Sequence, residues 1–205
     1  LLNRTQTRLA TGKRVNTAID DPVNYFASQS HLQRAGDLAL RKDGMAEGVN
    51  TVTAASKAID ALLTLLQQAQ GIANTAQATS DTKSRAAYAT QFDTVMSQIT
   101  ALASDASYKG TNLLSGQTTL TVKFNEAGDA KLDVAGFEAR TLVNLSLSFA
   151  ATVSNWATTV NHSMETALQF LSTATTNLRT QASSLASNLN VITTRQSFTT
   201  NLINT

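Results

Sequence analysis

Between Thr51 and Ala78 the apolar side chains Val52, Ala55, Ile59, Leu62, Leu66, Ala69, Ala73 and Ala76 follow one another in alternating steps of three and four. That spacing is the seam of an α-helix packed lengthwise on a partner. After a polar connector, TSDTKS at Thr79 to Ser84, the same period returns at Tyr88, Phe92, Val95, Ile99, Leu102 and Ala106. Two helices joined by so short a link are expected to lie antiparallel. A third seam runs through Val153, Trp156, Val160, Met164, Ala167, Leu171, Ala174 and Leu178, then slips by one residue to Ala182, Leu185, Leu189 and Ile192. Such a slip marks a local change of winding. No Gly or Pro follows Gly136, so a single helix is predicted from about Thr152 to Ile203, roughly 75 Å long at 1.5 Å per residue.

The period changes between the second and third seams. Leu120, Val122 and Phe124 alternate with polar residues, NEAGD at Asn125 to Asp129 has turn composition, and Leu132 and Val134 alternate again. A β-hairpin is predicted here. From Leu142 to Phe149 the sequence LVNLSLSF fits a strand and a helix equally well. The expected fold is therefore mainly α: an elongated antiparallel helical bundle or coiled coil with a small β-hairpin region. Its expected parts are an N-terminal helical segment at 1–115, the hairpin and connector at 116–150, and a returning helix at 151–205 that packs on the first segment, giving one rod-shaped domain.

The chain's one proline sits in TGKRVNTAIDDPVNYFAS, Thr11 to Ser28. Gly12 can end a helix in the left-handed conformation, Asp21 is a good N-cap, and Pro22 suits the first helical position, where its missing N–H costs nothing. One helix should stop near Thr11 and the next start near Pro22. Val23, Phe26, Leu38 and Leu40 suggest that this helix runs on into the first seam, although Gly36, Gly44 and Gly48 each weaken it by about 1 kcal/mol relative to Ala.

Composition narrows the function. Of 205 residues 42% are apolar, enough for a buried core, and the net charge is only +2. That excess is too small for a nucleic-acid-binding surface. Half the positive residues, Arg4, Arg8, Lys13, Arg14, Arg34, Arg41, Lys42 and Lys57, lie in the first third, and Arg4, Arg8, Arg34, Arg41 and Lys42 form a candidate contact for an acidic polysaccharide. By contrast, residues 141–205 carry only Arg179, Arg195 and Glu165, and about half of them are Ser, Thr, Asn or Gln. A helix of that composition is marginal alone, and its outer face suits either solvent or another copy of itself. The absence of cysteine excludes disulfides and thiol chemistry. No apolar run approaches the length of a membrane span, so membrane insertion is not expected.

Catalytic and metal chemistry find no foothold. His31 and His162 each stand without a carboxylate or second histidine at ligand spacing. Asp20 and Asp21 are adjacent carboxylates, but capping accounts for Asp21. There is no phosphate-cradling glycine loop or nucleophile elbow, and Trp156 reads as core. No catalytic residue, cofactor or metal is expected. Asn3, Asn144 and Asn161 head triplets of the glycosylation pattern, which arises readily by chance.

LNRTQTRLATGKRVNTAIDDPVNYFAS at Leu2 to Ser28 resembles the N-terminal region of bacterial flagellins. VNTVTAASKAIDALLTLLQQAQGIANTA at Val49 to Ala76 looks like that family's first long helix, SYKGTNLLSG at Ser107 to Gly116 is similar to its turn into the hairpin, and LRTQASSLASNLNVITTRQSFTTNLIN at Leu178 to Asn204 resembles its returning helix. The resemblance implies an extracellular, non-catalytic filament subunit whose partners are other copies of itself, a flagellar export chaperone, and cap and junction proteins. It further implies that Lys13, Arg14, Asn16, Asp20 and Asp21 lie at a contact between protomers, with Pro22 fixing the corner from which the main helix leaves. A hook-filament junction protein shares this architecture and is one alternative; a surface protein binding an acidic polysaccharide is another. Family members carry further helical segments beyond both ends of this sequence, so the resemblance leaves open whether a chain of this length polymerises. In LQQAQGIANT, Leu66 to Thr75, Gln68, Gln70 and Gly71 replace the charged residues that many flagellins present to innate immune receptors, and that recognition is not carried over.

Overall fold

A computed structural model describes residues 2–139, 156 and 162–205. Among them are α1 (Leu2–Thr11), α2 (Pro22–Ala78), α3 (Thr82–Asp105), β1 (Thr119–Lys123), β2 (Lys131–Ala135) and α4 (His162–Ile203). The breaks fall where the local chemistry put them. Gly12 takes φ +64° just past α1. Asp21 caps α2 by accepting from the Asn24 amide at 3.2 Å, with Pro22 in the first turn.

α2 is one unbroken helix of 57 residues, roughly 85 Å long at 1.5 Å per residue. Every predicted seam residue from Val52 to Ala76 is buried. The link to α3 is shorter than the connector read from the sequence, because Asp81 already caps α3, accepting from the Ser84 amide at 2.9 Å and the Ser84 hydroxyl at 2.6 Å. Buried Arg85 closes the link by donating Nε–H to the Thr79 carbonyl at 2.7 Å.

The second seam holds: Phe92, Val95 and Ile99 are buried, and Tyr88, Leu102 and Ala106 pack against the same core at its edge. Tyr88 and Leu102 are only half-buried, and Ala106 lies past the helix end. The buried stripe of α3 runs through Arg85, Ala89, Phe92, Val95, Met96, Ile99 and Ala103. Phe92, Val95, Met96 and Ile99 fill the middle of the stripe, with Ala89 and Ala103 toward its ends and the half-buried Tyr88 and Leu102 packed alongside. Trp156 is corrected: it lies in a turn, not on a described helix, yet is fully buried with its ring 5.1 Å from that of Phe92. Val153, Val160, the segment Leu142 to Phe149, and Asn144 and Asn161 lie outside the described residues.

α4 returns antiparallel along α2, since Leu202 and Ile203 at its end meet Ser28 to Leu38 near the start of α2. Met164, Ala167, Leu171, Ala174, Leu178, Leu185 and Ile192 are buried, with Ala182 and Leu189 half-buried. The α2–α4 pair needs a third layer to close its core. α3 supplies it over one half, and the hairpin over the next stretch, where β1 packs on α2 and β2 on α4. The strands pair antiparallel, Leu120 opposite Val134 and Val122 opposite Leu132, with Val122 and Val134 buried.

Gly48 shows why a glycine persists in a long helix. A Cβ there would stand 2.7 Å from Val122 Cγ2, so the missing side chain lets the hairpin seat directly on α2. At Gly44, one turn earlier, a Cβ would meet nothing within 4 Å. The two positions should therefore respond oppositely to alanine. Gly44→Ala is expected to stabilise the protein by about 1 kcal/mol through helix propensity. Gly48→Ala is expected to destabilise it by about 1–3 kcal/mol through overpacking against a stiff β-branched side chain. Urea unfolding of the two variants checks the sign of each.

Candidate assembly surface

Past the hairpin, toward the start of α2, no described element covers the α2–α4 pair. Val23, Phe26, Leu38 and Leu40, from which the helix is expected to run on, do lie on one continuous helix; of them Leu38 is buried, while Val23 is 79% exposed, Phe26 64% and Leu40 69%. The face of α2 that continues the seam from Leu38 carries Ala35, His31 and Ser28, which border a groove of about 690 Å³ with Leu202 and Ile203. Val23, Phe26 and Leu40 point off that face, and Leu32, 60% exposed, stands at the rim of the groove. Together with Leu9 on α1 and Ile19 at the loop tip, both almost fully exposed, they leave an apolar end on the rod. Phe198 and Leu202 on α4 are exposed as well.

The loop between α1 and α2 is built by its own polar side chains. Asp20 Oδ2 accepts from the amides of Asn16 and Thr17 at 3.4 and 3.3 Å and from the Thr17 hydroxyl at 3.2 Å. The Thr11 hydroxyl lies 2.7 Å from both the Thr7 carbonyl and Asn16 Oδ1, and its single proton serves one of them at a time. Asn16 Nδ2 donates to the Lys13 carbonyl at 3.4 Å. Asp21 Oδ2 takes a 2.6 Å bond from Asn24 Nδ2 in addition to its capping bond.

The loop residues singled out from the sequence thus separate into two groups. Asn16, Asp20, Asp21 and Pro22 shape the corner, whereas Lys13 and Arg14 are exposed on it. Sequence reading gave Leu9 and Ile19 no role and took Val23 and Phe26 only as marks of a continuing helix. The signal was present in the helical phase, because Val23 and Phe26 do not fall in step with Leu38 and Met45.

The Asn24 side chain, then its backbone amide, and the nearby charge of Arg14 hold the Asp21 carboxyl below its ordinary value of 3.8. A carboxyl whose folded pKa is depressed stabilises the fold above its unfolded pKa, and loses that contribution as pH falls through the folded value. Asp21→Ala should therefore lower the melting temperature at pH 7, with the gap to the parent closing as pH drops below 3.8. Thermal unfolding followed by circular dichroism across pH 2–7 reads this directly.

The polyanion candidates are dispersed. Arg34 Nε donates to Glu126 Oε1 at 2.7 Å, and Arg41 Nη2 donates to the Glu126 carbonyl at 3.3 Å. Arg195 on α4 stacks over the Phe124 ring, 5.4 Å from its centroid. These cations fasten the hairpin tip across α2 and α4. Arg8 is exposed on α1, Lys42 is half-buried on α2, and the side chain of Arg4 lies outside the described residues. Among the described residues no three His, Asp or Glu side chains group as metal ligands, and no helix is long and apolar enough to cross a membrane.

Residues 1–119 match the family described as the bacterial flagellin N-terminal helical region. The chain is 28% identical over 193 residues to each of two Caulobacter vibrioides proteins, flagellin FljM and flagellin FljO, covering 93% of this chain and 71% of each relative. Its fold matches the crystal structure of Bacillus cereus flagellin with a TM-score of 0.63 at 14% identity, over 76% of this chain and 88% of the other. Bacillus cereus FlgL matches with a TM-score of 0.59, also at 14% identity, over 88% and 97% of the two chains.

Proposed function

Because the chain belongs to the bacterial flagellin family and is a structural subunit of the extracellular flagellar filament, we propose that its apolar end is the surface neighbouring copies cover. The supporting observation is that Leu9, Ile19, Val23 and Phe26, each more than 60% exposed, lie in, or flank along the chain, a loop whose polar residues hold one shape. A fixed corner presents these side chains in one arrangement, so little conformational entropy is lost when a neighbour covers them. Lys13 and Arg14, exposed on the same corner, set the orientation of that contact. A contact of this kind is heterologous: the surface on one copy meets a different surface on the next, and the assembly extends without closing. In this reading the protein has no catalytic role.

Two alternatives fare less well. The hook-filament junction reading has support only at the level of the fold, whereas the family match is to flagellin. The polysaccharide reading loses much of its basis because Arg34 is paired with the Glu126 carboxylate and the other candidates are spread along α1 and α2.

The test is assembly of the full-length protein carrying Val23→Ser with Phe26→Ser. A folded subunit that fails to form filaments in electron micrographs supports the assignment. Normal filaments at the parent's concentration would place the contact elsewhere.

A further inference from the structure

A small cleft of about 160 Å³ lies between α2 and the outer edge of β1, bordered by Leu40, Arg41, Gly44, Thr121, Val122 and Lys123. It exists because the missing side chain at Gly48 draws β1 onto the helix, while Gly44, one turn away, leaves the space beside it empty. Its one charged side chain from α2 is Arg41, and no carboxylate lies within ion-pair distance of Arg41 among the described residues; the Lys123 side chain, on the exposed face of β1, runs over Gly128 in the hairpin turn. The nearby Glu126 carboxylate is held by Arg34 instead.

Arg41 is half-buried and poorly satisfied. One Nη2 bond of 3.3 Å reaches the Glu126 carbonyl, and Nε is buried with no acceptor. A guanidinium has five N–H donors, and leaving them without acceptors away from water is costly. The strand edge adds donors of its own. In the ladder, Gly136 donates to Thr118 and Phe124 donates to Ala130. With the observed register this turns the amides of the even-numbered β1 residues toward β2, and those of Thr121 and Lys123 away from it. One outward amide beside the unpartnered guanidinium suits an oxyanion, which accepts a charge-assisted hydrogen bond from each; the outward carbonyls that alternate with the amides restrict it to a single amide at a time.

We propose that this cleft binds a small oxyanion, a carboxylate or phosphate group, between Arg41 and the edge of β1. The inference stands apart from the assembly surface, whose residues Leu9, Ile19, Val23 and Phe26 lie before α2 or in its first turns and do not border the cleft. The anion is either free in solution or carried on an acidic side chain of a peptide, and both present the same oxygens to the same donors.

The experiment is a titration of the ¹⁵N-labelled protein with inorganic phosphate at constant ionic strength, followed by two-dimensional NMR. Saturable shifts are expected at the amides of Gly44, Thr121 and Lys123 and at Arg41 Nε–H. Arg41→Gln should weaken binding at least tenfold, and Gly44→Leu should abolish it by filling the space without removing a charge. Lys42→Gln, next in sequence but not bordering the cleft, should bind as the parent does. A dispersed spectrum verifies that each variant is folded, and should Arg41→Gln fail to fold, Gly44→Leu decides alone. Shifts that do not saturate, that fall equally on Lys13 and Arg14, or that survive both variants would overturn the proposal. Competition separates the sources: acetate displacing phosphate as effectively as a polyglutamate peptide identifies a free anion, and the peptide winning at lower concentration identifies a protein side chain.

Discussion

Phe92→Ala is expected to destabilise the protein by about 3–5 kcal/mol, the range for removing a buried aromatic ring without full collapse of the cavity. Phe92 is 2% exposed, lies at the centre of the α3 stripe, and packs on Trp156 in a tilted pair with ring centroids 5.1 Å apart. The loss therefore includes the ring's own burial and the aromatic pairing. For a chain of this size it amounts to a fall of roughly 10 °C in the unfolding midpoint. Trp156 is the sole tryptophan, so its fluorescence reports on this contact alone. The variant should show red-shifted emission in the native state and a lower midpoint by circular dichroism. A change below about 1 kcal/mol would mean that Phe92 does not join α3 to the segment containing Trp156.

Removing apolar side chains from the exposed end should have the opposite profile. Val23 and Phe26 have little to lose within the subunit, so Val23→Ser with Phe26→Ser is expected to shift folding stability by no more than about 0.5 kcal/mol per site. Covering such a side chain completely in an assembly yields about 1.5–3 kcal/mol. Losing two of them from each subunit contact raises the concentration needed for filament growth at least about a hundredfold. Sedimentation of assembled protein against total concentration measures that threshold, and an unfolding curve of the same sample gives the control. If the threshold and the stability move together, the residues serve the fold and not the contact.

These two variants also show where sequence reading worked. Val52 to Ala76 could be placed because a helix buried along one face must repeat its apolar residues at the pitch of the contact, and that constraint is local. The breaks at Gly12 and Asp21 could be placed for the same reason, since a cap is chemistry among neighbours, whereas the cap at Asp81 was read as part of the connector. Val23, Phe26 and Leu40 marked the continuing helix correctly, but residue type does not say which side of it is covered. Their exposure depends on how far the hairpin reaches along α2.

The basic third of the chain illustrates the same boundary. As a string, Arg34 and Arg41 belong with Arg4, Arg8 and Lys42 as positive charges on one segment. In three dimensions Glu126, about ninety positions away, takes Arg34 by its carboxylate and Arg41 by its carbonyl. Charge density along a sequence says nothing of which counter-charge folding brings alongside.

The sequence by itself determined the helices, their caps, the hairpin and the seam that joins α2 to its partners, because periodicity and capping act over a few residues. Only the tertiary structure decided that Gly48 admits Val122, that Arg34 and Arg41 fasten a hairpin tip, and that Val23 and Phe26 stay bare. Each of those outcomes depends on contacts between distant segments, and no neighbouring residue encodes them.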